Sequence, residues 1–164
     1  MRSGHAIRLL VLDVDGVLTD GRLYFGPRGE ALKVFDVRDG YGLVALQRAG
    51  VAVAVISGRR SPAVSARCRE LGVRHVHQGV ADKLAVFERL RARLRLERAA
   101  CACVGDDLPD VPLMNAVALS FAVADAHPAA RRAAAVVTRH AGGRGAVREV
   151  CDLLLAGGRP RGRR

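Results

Sequence analysis

Short apolar runs alternate with amphipathic stretches along most of the chain, and nearly every run breaks off at a polar residue or a glycine. The first run, residues 7–12, is branched aliphatic apart from Arg8, which predicts a strand covered on both faces of a parallel sheet. It ends abruptly at Asp13-Val14-Asp15-Gly16. Two β-patterned runs follow, 22–25 and 31–37, and the Gly26-Pro27-Arg28-Gly29 between them predicts a hairpin. Further strands are expected at 51–56, 73–77, 99–104, 117–123 and 135–138. Helices are expected from a cap at Asp39 to about 49, at 62–71, at 82–96, after Pro128 and at 146–155. This alternation predicts an α/β fold, a three-layer sandwich on a mostly parallel, Rossmann-like sheet, with a β-hairpin flap after the first strand and no large cap domain. Residues 1–156 are expected to form one domain and 157–164 a basic, disordered tail.

The chemistry gathers where the strands end. A carboxylate is costly inside a buried strand, so Asp13 belongs at the C-terminal edge, where open parallel sheets bind ligands. At strand spacing Asp13 and Asp15 face one way, and two adjacent carboxylates call for a divalent cation or a shared proton. Taken alone, the same residues also suit a strand end followed by an Asp-Gly turn and a helix cap. The strand at 51–56 ends in Ser57-Gly58-Arg59, a hydroxyl and glycine suited to phosphate. Lys83 falls in the first turn of a helix, where the dipole opposes a cation and a bound anion would justify it. The strand at 99–104 ends in Gly105-Asp106-Asp107-Leu108-Pro109-Asp110, a second acidic cluster that reads as a cap or a metal site.

Composition narrows the partners. At 164 residues the chain has room for one well-developed core, and its longest apolar stretch, around 116–126, is too short and too polar to span a membrane. The short N-terminal apolar run does not suit a secretory signal, so a cytoplasmic protein is expected. The formal charge is +11, yet only two lysines occur, Lys33 and Lys83, and the arginines are scattered with few aromatics between them. That distribution does not predict a nucleic-acid partner; an acidic, phosphorylated substrate suits it better. Cys68, Cys101, Cys103 and Cys151 show no CxxC spacing, and His75 and His77 have no third ligand nearby in sequence, so neither group predicts zinc.

DxDG, Ser-Gly-Arg, a helix-start lysine and GDDxxD, in that order, resemble the four motifs of the haloacid dehalogenase superfamily of phosphohydrolases. Within it, LDVDGVLTDG, FDVRDGYG, ISGR, the lysine of QGVADK, VGDDLPD, AVADAHP and AGGRGAVREVCDLLL are similar to the 3-deoxy-D-manno-octulosonate 8-phosphate phosphatases, over about residues 7–156. The resemblance implies Asp13 as nucleophile, forming an aspartyl-phosphate, and Asp15 as general acid and then base. It implies Mg²⁺ held by Asp13, the backbone carbonyl of Asp15 and Asp106. Ser57, Gly58 and Lys83 would bind phosphate, while Asp107 and Asp110 would stand behind them, orienting Lys83 or metal-bound waters. Arg59, Arg38 and Arg67, in that order of preference, resemble positions that grip the substrate carboxylate. The pathway implied is that of the lipopolysaccharide sugar of Gram-negative envelopes.

Superfamily members that work alone insert a cap domain to exclude water, but here 41 residues separate Asp15 from Ser57 and 25 separate Ser57 from Lys83. The resemblance therefore implies a homotetramer, in which a neighbour's hairpin covers the site and residues 142–145 help close an adjacent one. Three alternatives stay open at this stage. They are a phosphatase of a related nonulosonate 9-phosphate, a silent tetramerisation or phosphate-binding module, and a response-regulator receiver. The receiver takes its acids from separate strands, whereas here both leading acids follow the first.

Overall fold

The structure, a computed structural model, describes residues 7–157. Most of the predicted tail lies outside the described residues. The first apolar run forms β1 (Leu9–Leu12), every residue of it buried. β1 is flanked by β4 (Ala52–Ser57) and β6 (Cys101–Gly105), both parallel to it, with Leu12 in register with Val55 and Val104. Three more strands, β5 (His75–Gln78), β7 (Leu119–Ala122) and β8 (Val136–Val137), complete a six-stranded sheet in the order β5-β4-β1-β6-β7-β8. All of its pairings are parallel.

Strand order reverses about β1, since the chain runs out through β4 to β5 and returns to β6. Right-handed crossovers then place α1 (Val37–Arg48) and α2 (Pro62–Glu70) on one face. They place α3 (Lys83–Arg93), α4 (Val111–Met114) and α5 (Pro128–Ala133) on the other. The last helix, α6 (Ala146–Leu155), packs against α1. The fold is therefore the expected three-layer α/β sandwich. The reversal opens a crevice at the C-terminal ends of β1, β4 and β6, where this class of sheet binds ligands.

The hairpin comprises β2 (Tyr24–Gly26) and β3 (Gly29–Leu32), paired antiparallel with an irregularity between Tyr24 and Phe25. Its second strand begins two residues earlier than the pattern predicts and stops at Leu32, and residues 33–36 form no strand.

The cap of α1 is Asp36 rather than Asp39: the Asp36 carboxylate accepts from Arg38 N at 2.7 Å. Asp39 is instead buried inside the helix and accepts from Arg148 N at 2.8 Å. It thereby caps α6 from a distance, since Gly145 at the start of that helix has no side chain to do so. Asp39→Ala is expected to lower stability by about 1–2 kcal/mol, the usual cost of a lost cap. A denaturant midpoint equal to that of the unmodified chain would show the contact to be idle.

Candidate active site

Asp13 is the first residue past β1, where its own N–H donates to Val104 O at 3.2 Å and ties the strand end to β6. Its carboxylate accepts from Val14 N at 2.7 Å, which fixes the rotamer. Lys83, at the start of α3, places its ammonium 2.9 Å from Asp13 Oδ1 and 2.7 Å from Asp110 Oδ1. Burial works against this charge, but the two carboxylates outweigh it and raise the lysine's pKa. Lys83 is thus an ion bridge between the loops that follow β1 and β6.

Asp110 has a second task. Its Oδ2 accepts from Asp106 N at 3.0 Å and Asp107 N at 3.3 Å, closing the loop after β6 into a tight cup. Gly105 permits this, because a Cβ there would lie 2.5 Å from the Asp110 Cβ. Asp107 turns outward and caps the short 3₁₀ turn Leu108–Asp110 by accepting from Leu108 N. Of the two acids expected behind the site, Asp110 touches Lys83, and Asp107 serves the backbone.

Asp106 enters the crevice beside the backbone of Gly16, whose φ is +87°; a Cβ on Gly16 would meet Asp106 Oδ2 at 2.0 Å. Asp106 Oδ1 is buried with no hydrogen-bond partner. An orphaned carboxylate oxygen is expensive, and Asp13, Asp106 and Asp110 each offer a carboxylate oxygen within 4.8 Å of the others. Burial, followed by the charge of Asp110, lifts the Asp13 pKa to about 6 against the opposing pull of Lys83 and Val14 N. Burial, then Asp13 and Asp110, lifts that of Asp106 to about 8. One lysine cannot balance three buried carboxylates. A hard divalent cation taking oxygens of Asp13 and Asp106 fits this deficit.

Asp15 stands apart from that cluster. At strand spacing the two aspartates were expected to face one way, but β1 ends at Leu12 and residues 14–19 form a turn. The Asp15 carboxylate meets a different lysine: Lys33 Nζ is 2.5 Å from its Oδ1, and Arg59 Nε is 3.9 Å from its Oδ2. Ser57 is buried at the end of β4, and Gly58 follows it at the same sheet edge, with Val80 N donating to Ser57 O at 3.0 Å. Arg59 stacks at 6.0 Å over Phe25 of the hairpin. The other two arginines make their charge contacts elsewhere, Arg38 with Asp36 at 2.8 Å and Arg67 with Glu70 at 2.9 Å.

A further segment shapes the crevice. Gly143 N donates to Val17 O at 2.9 Å, Gly142 N donates to Asp125 Oδ1 at 2.9 Å, and a Cβ on Gly142 would overlap Gly16 O at 1.7 Å. Gly142 and Gly143, within the segment expected to help close a neighbour's site, also buttress the first loop of their own chain.

A haloacid dehalogenase-like hydrolase model matches residues 73–150. The chain is 54% identical to the 3-deoxy-D-manno-octulosonate 8-phosphate phosphatase KdsC of Escherichia coli (strain B / BL21-DE3), over 94% of this chain and 82% of that protein. It belongs to this phosphatase family of haloacid dehalogenase-like hydrolases. Solved structures agree with that membership. The Yersinia pestis 3-deoxy-D-manno-octulosonate 8-phosphate phosphatase superposes with a TM-score of 0.91 at 50% identity, over 94% of this chain and 84% of that one. The Moraxella catarrhalis enzyme, solved with magnesium, phosphate and KDO, gives 0.90 at 40% identity, over 93% and 88%. This family member is accordingly a phosphatase. Among its described residues no helix is long and apolar enough to cross a membrane.

The raised carboxyl pKa values have a sign. Folding tightens the hold on both protons, so their stabilising contribution is full below the ordinary value of 3.8 and is lost as pH rises through about 6 and then about 8. A divalent cation needs both groups ionised and reverses that loss. Added Mg²⁺ is therefore expected to raise the melting temperature more at pH 8 than at pH 6, with protons released on binding at the lower pH. Equal stabilisation at both would place the cation elsewhere.

Proposed function

We propose that the chain is a Mg²⁺-dependent phosphomonoester hydrolase acting on 3-deoxy-D-manno-octulosonate 8-phosphate, in the route to the lipopolysaccharide sugar. The observation that carries this reading is the clamp of Asp13 by Lys83 beside the orphaned oxygen of Asp106, in a chain more than half identical to an enzyme of that name. Asp13 is the nucleophile, held by Val14 N with one oxygen already against the lysine that will meet the phosphate. Its attack forms an aspartyl-phosphate and breaks the bond to the sugar oxygen, which takes a proton from Asp15. Asp15 then removes a proton from the water that cleaves the acyl phosphate. Ser57, Gly58 and Lys83 receive the phosphate oxygens, and Lys83 offsets the charge that builds on them. Asp13, Asp106 and the Asp15 carbonyl would hold Mg²⁺, which supplies charge neutralisation so that two anions can approach.

A sugar-acid phosphate brings about three negative charges. Arg59 is the arginine whose placement supports a grip on the carboxylate, since it already lies against Asp15 and the hairpin; Arg38 and Arg67 would have to leave Asp36 and Glu70 to join it. The four buried, unbridged cysteines suit a reducing cytoplasm.

Assembly as a homotetramer is supported by the apolar face that the hairpin and the start of α1 leave uncovered, with Phe25, Val34, Val37 and Tyr41 all more than half exposed. Light scattering is expected to give four chains per particle, and Phe25→Asp to reduce both that number and activity. A fully active monomer would sink the assembly.

Phosphate release from 3-deoxy-D-manno-octulosonate 8-phosphate should require Mg²⁺, exceed release from other sugar phosphates, and fall by at least about a thousandfold in Asp13→Asn, since the covalent route is removed. Preferential release from a nonulosonate 9-phosphate would keep the mechanism and change the substrate. No release from any of them would favour a silent module.

A further inference from the structure

Asp15, in its proposed role, has a proton to deliver, and delivery needs the carboxyl to be aimed. Lys33 follows β3 on the hairpin, where its neighbours are turned the wrong way for a surface strand. Leu32 and Val34 are 49% and 54% exposed, while the lysine side chain is 2% exposed. Burying an ammonium costs far more than burying leucine or valine would, so stability alone does not choose this pattern. The charge is inward because it has partners there. Lys33 Nζ lies 2.5 Å from Asp15 Oδ1 and 3.1 Å from Glu30 Oε2. Glu30 is anchored in turn by Ser61 Oγ at 2.6 Å and by Arg59 at 3.4 Å.

We propose that Lys33 is a positioning residue for Asp15, a role that rests on the phosphatase reading given above. It pins Oδ1 and leaves Oδ2, the oxygen nearer Arg59, toward the substrate side. The hairpin residue Glu30 and the Arg59-Ser61 segment hold the lysine in place, so the flap carries part of the acid–base apparatus. Lysine suits the task because a compact point charge on a long stem reaches one oxygen, where a planar guanidinium would engage both.

The test separates aiming from mere support by changing the leaving group. When the bond from Asp13 to phosphorus forms and the phosphorus–oxygen bond breaks, a sugar oxygen needs the Asp15 proton. p-Nitrophenolate leaves without one. Values of kcat/KM report this first step for both substrates. In Lys33→Met, kcat/KM on the sugar phosphate is expected to fall at least about tenfold with KM nearly unchanged, and that on p-nitrophenyl phosphate to change by less than about twofold. Glu30→Gln, which keeps the lysine but frees its far side, should show the same pattern to a smaller degree.

Equal losses on both substrates in both variants would make Lys33 a structural residue and overturn the proposal. A loss confined to KM would make it a grip on the sugar acid, and no loss would make it idle; either overturns it too. Failure of the substrate assignment shows separately, in the unmodified enzyme, and the comparison is then run on whichever sugar phosphate that enzyme does hydrolyse. If it hydrolyses none, the proposal falls with the reading on which it rests.

Discussion

The structure depends on a shortage of positive charge at one point. Three carboxylates, Asp13, Asp106 and Asp110, converge at the C-terminal edge of a parallel sheet, and Lys83 is the single ammonium between them. Burial first, and then the neighbouring like charges, make ionisation of Asp13 and Asp106 costly unless something compensates, so both hold their protons far up the pH scale. The imbalance is of the kind that catalysis can use. A site that was electrically complete would have nothing to offer a cation or a phosphate. Here the fold supplies the rigidity to keep the shortage open, through a β1 that is buried throughout and tied on both sides.

That rigidity relies on backbone approaching closer than side chains allow. Gly16 gives Asp106 its path, Gly105 lets Asp110 fold back over its own loop, and Gly142 sits against the carbonyl of Gly16. Each contact would be occupied by a Cβ in any other residue. The segment from 142 to 145 also leads into α6, whose amide Asp39 caps from across the α1 interface. The first loop is thereby braced by the segment that leads into the last helix, and the packing of that helix is linked to the geometry around Asp13.

Much of this could be read from the chain before any coordinates. The ends of β1, β4 and β6 were visible because apolar runs stop at Asp13, Ser57 and Gly105 with little transition, and the layered class follows from the alternation of strands and helices, whereas the strand order does not. What was less legible depended on tertiary neighbours. Asp36 and Asp39 both stand where a cap could be, three residues apart, and only the arrival of α6 at Asp39 decides between them. Asp107 and Asp110 look alike in GDDLPD, yet one faces solvent and the other Lys83. Lys33 left a faint signal, as one of two lysines among twenty-five arginines, the same rarity that made Lys83 stand out. It was hidden because a hairpin between two exposed apolar residues gives no hint that the charge between them points inward.

The use of the two lysines bears on how the site divides its labour. Each meets one aspartate of the DxD pair, Lys83 at Asp13 and Lys33 at Asp15. The two carboxylates, only two residues apart, therefore sit in different electrostatic neighbourhoods: one shares its cation with Asp110 and the buried cluster, the other with Glu30 and the flap. Under the proposed roles, one carboxylate attacking as an anion and the other delivering a proton, such separation means that a change in one neighbourhood need not disturb the other. The separation also differs in origin. Lys83 comes from the sheet's own crossover helix and is as fixed as the core, whereas Lys33 comes from a hairpin whose outer face is apolar and uncovered in a single chain. Whatever seats that hairpin therefore acts on Asp15 and leaves the clamp of Lys83 on Asp13 in place.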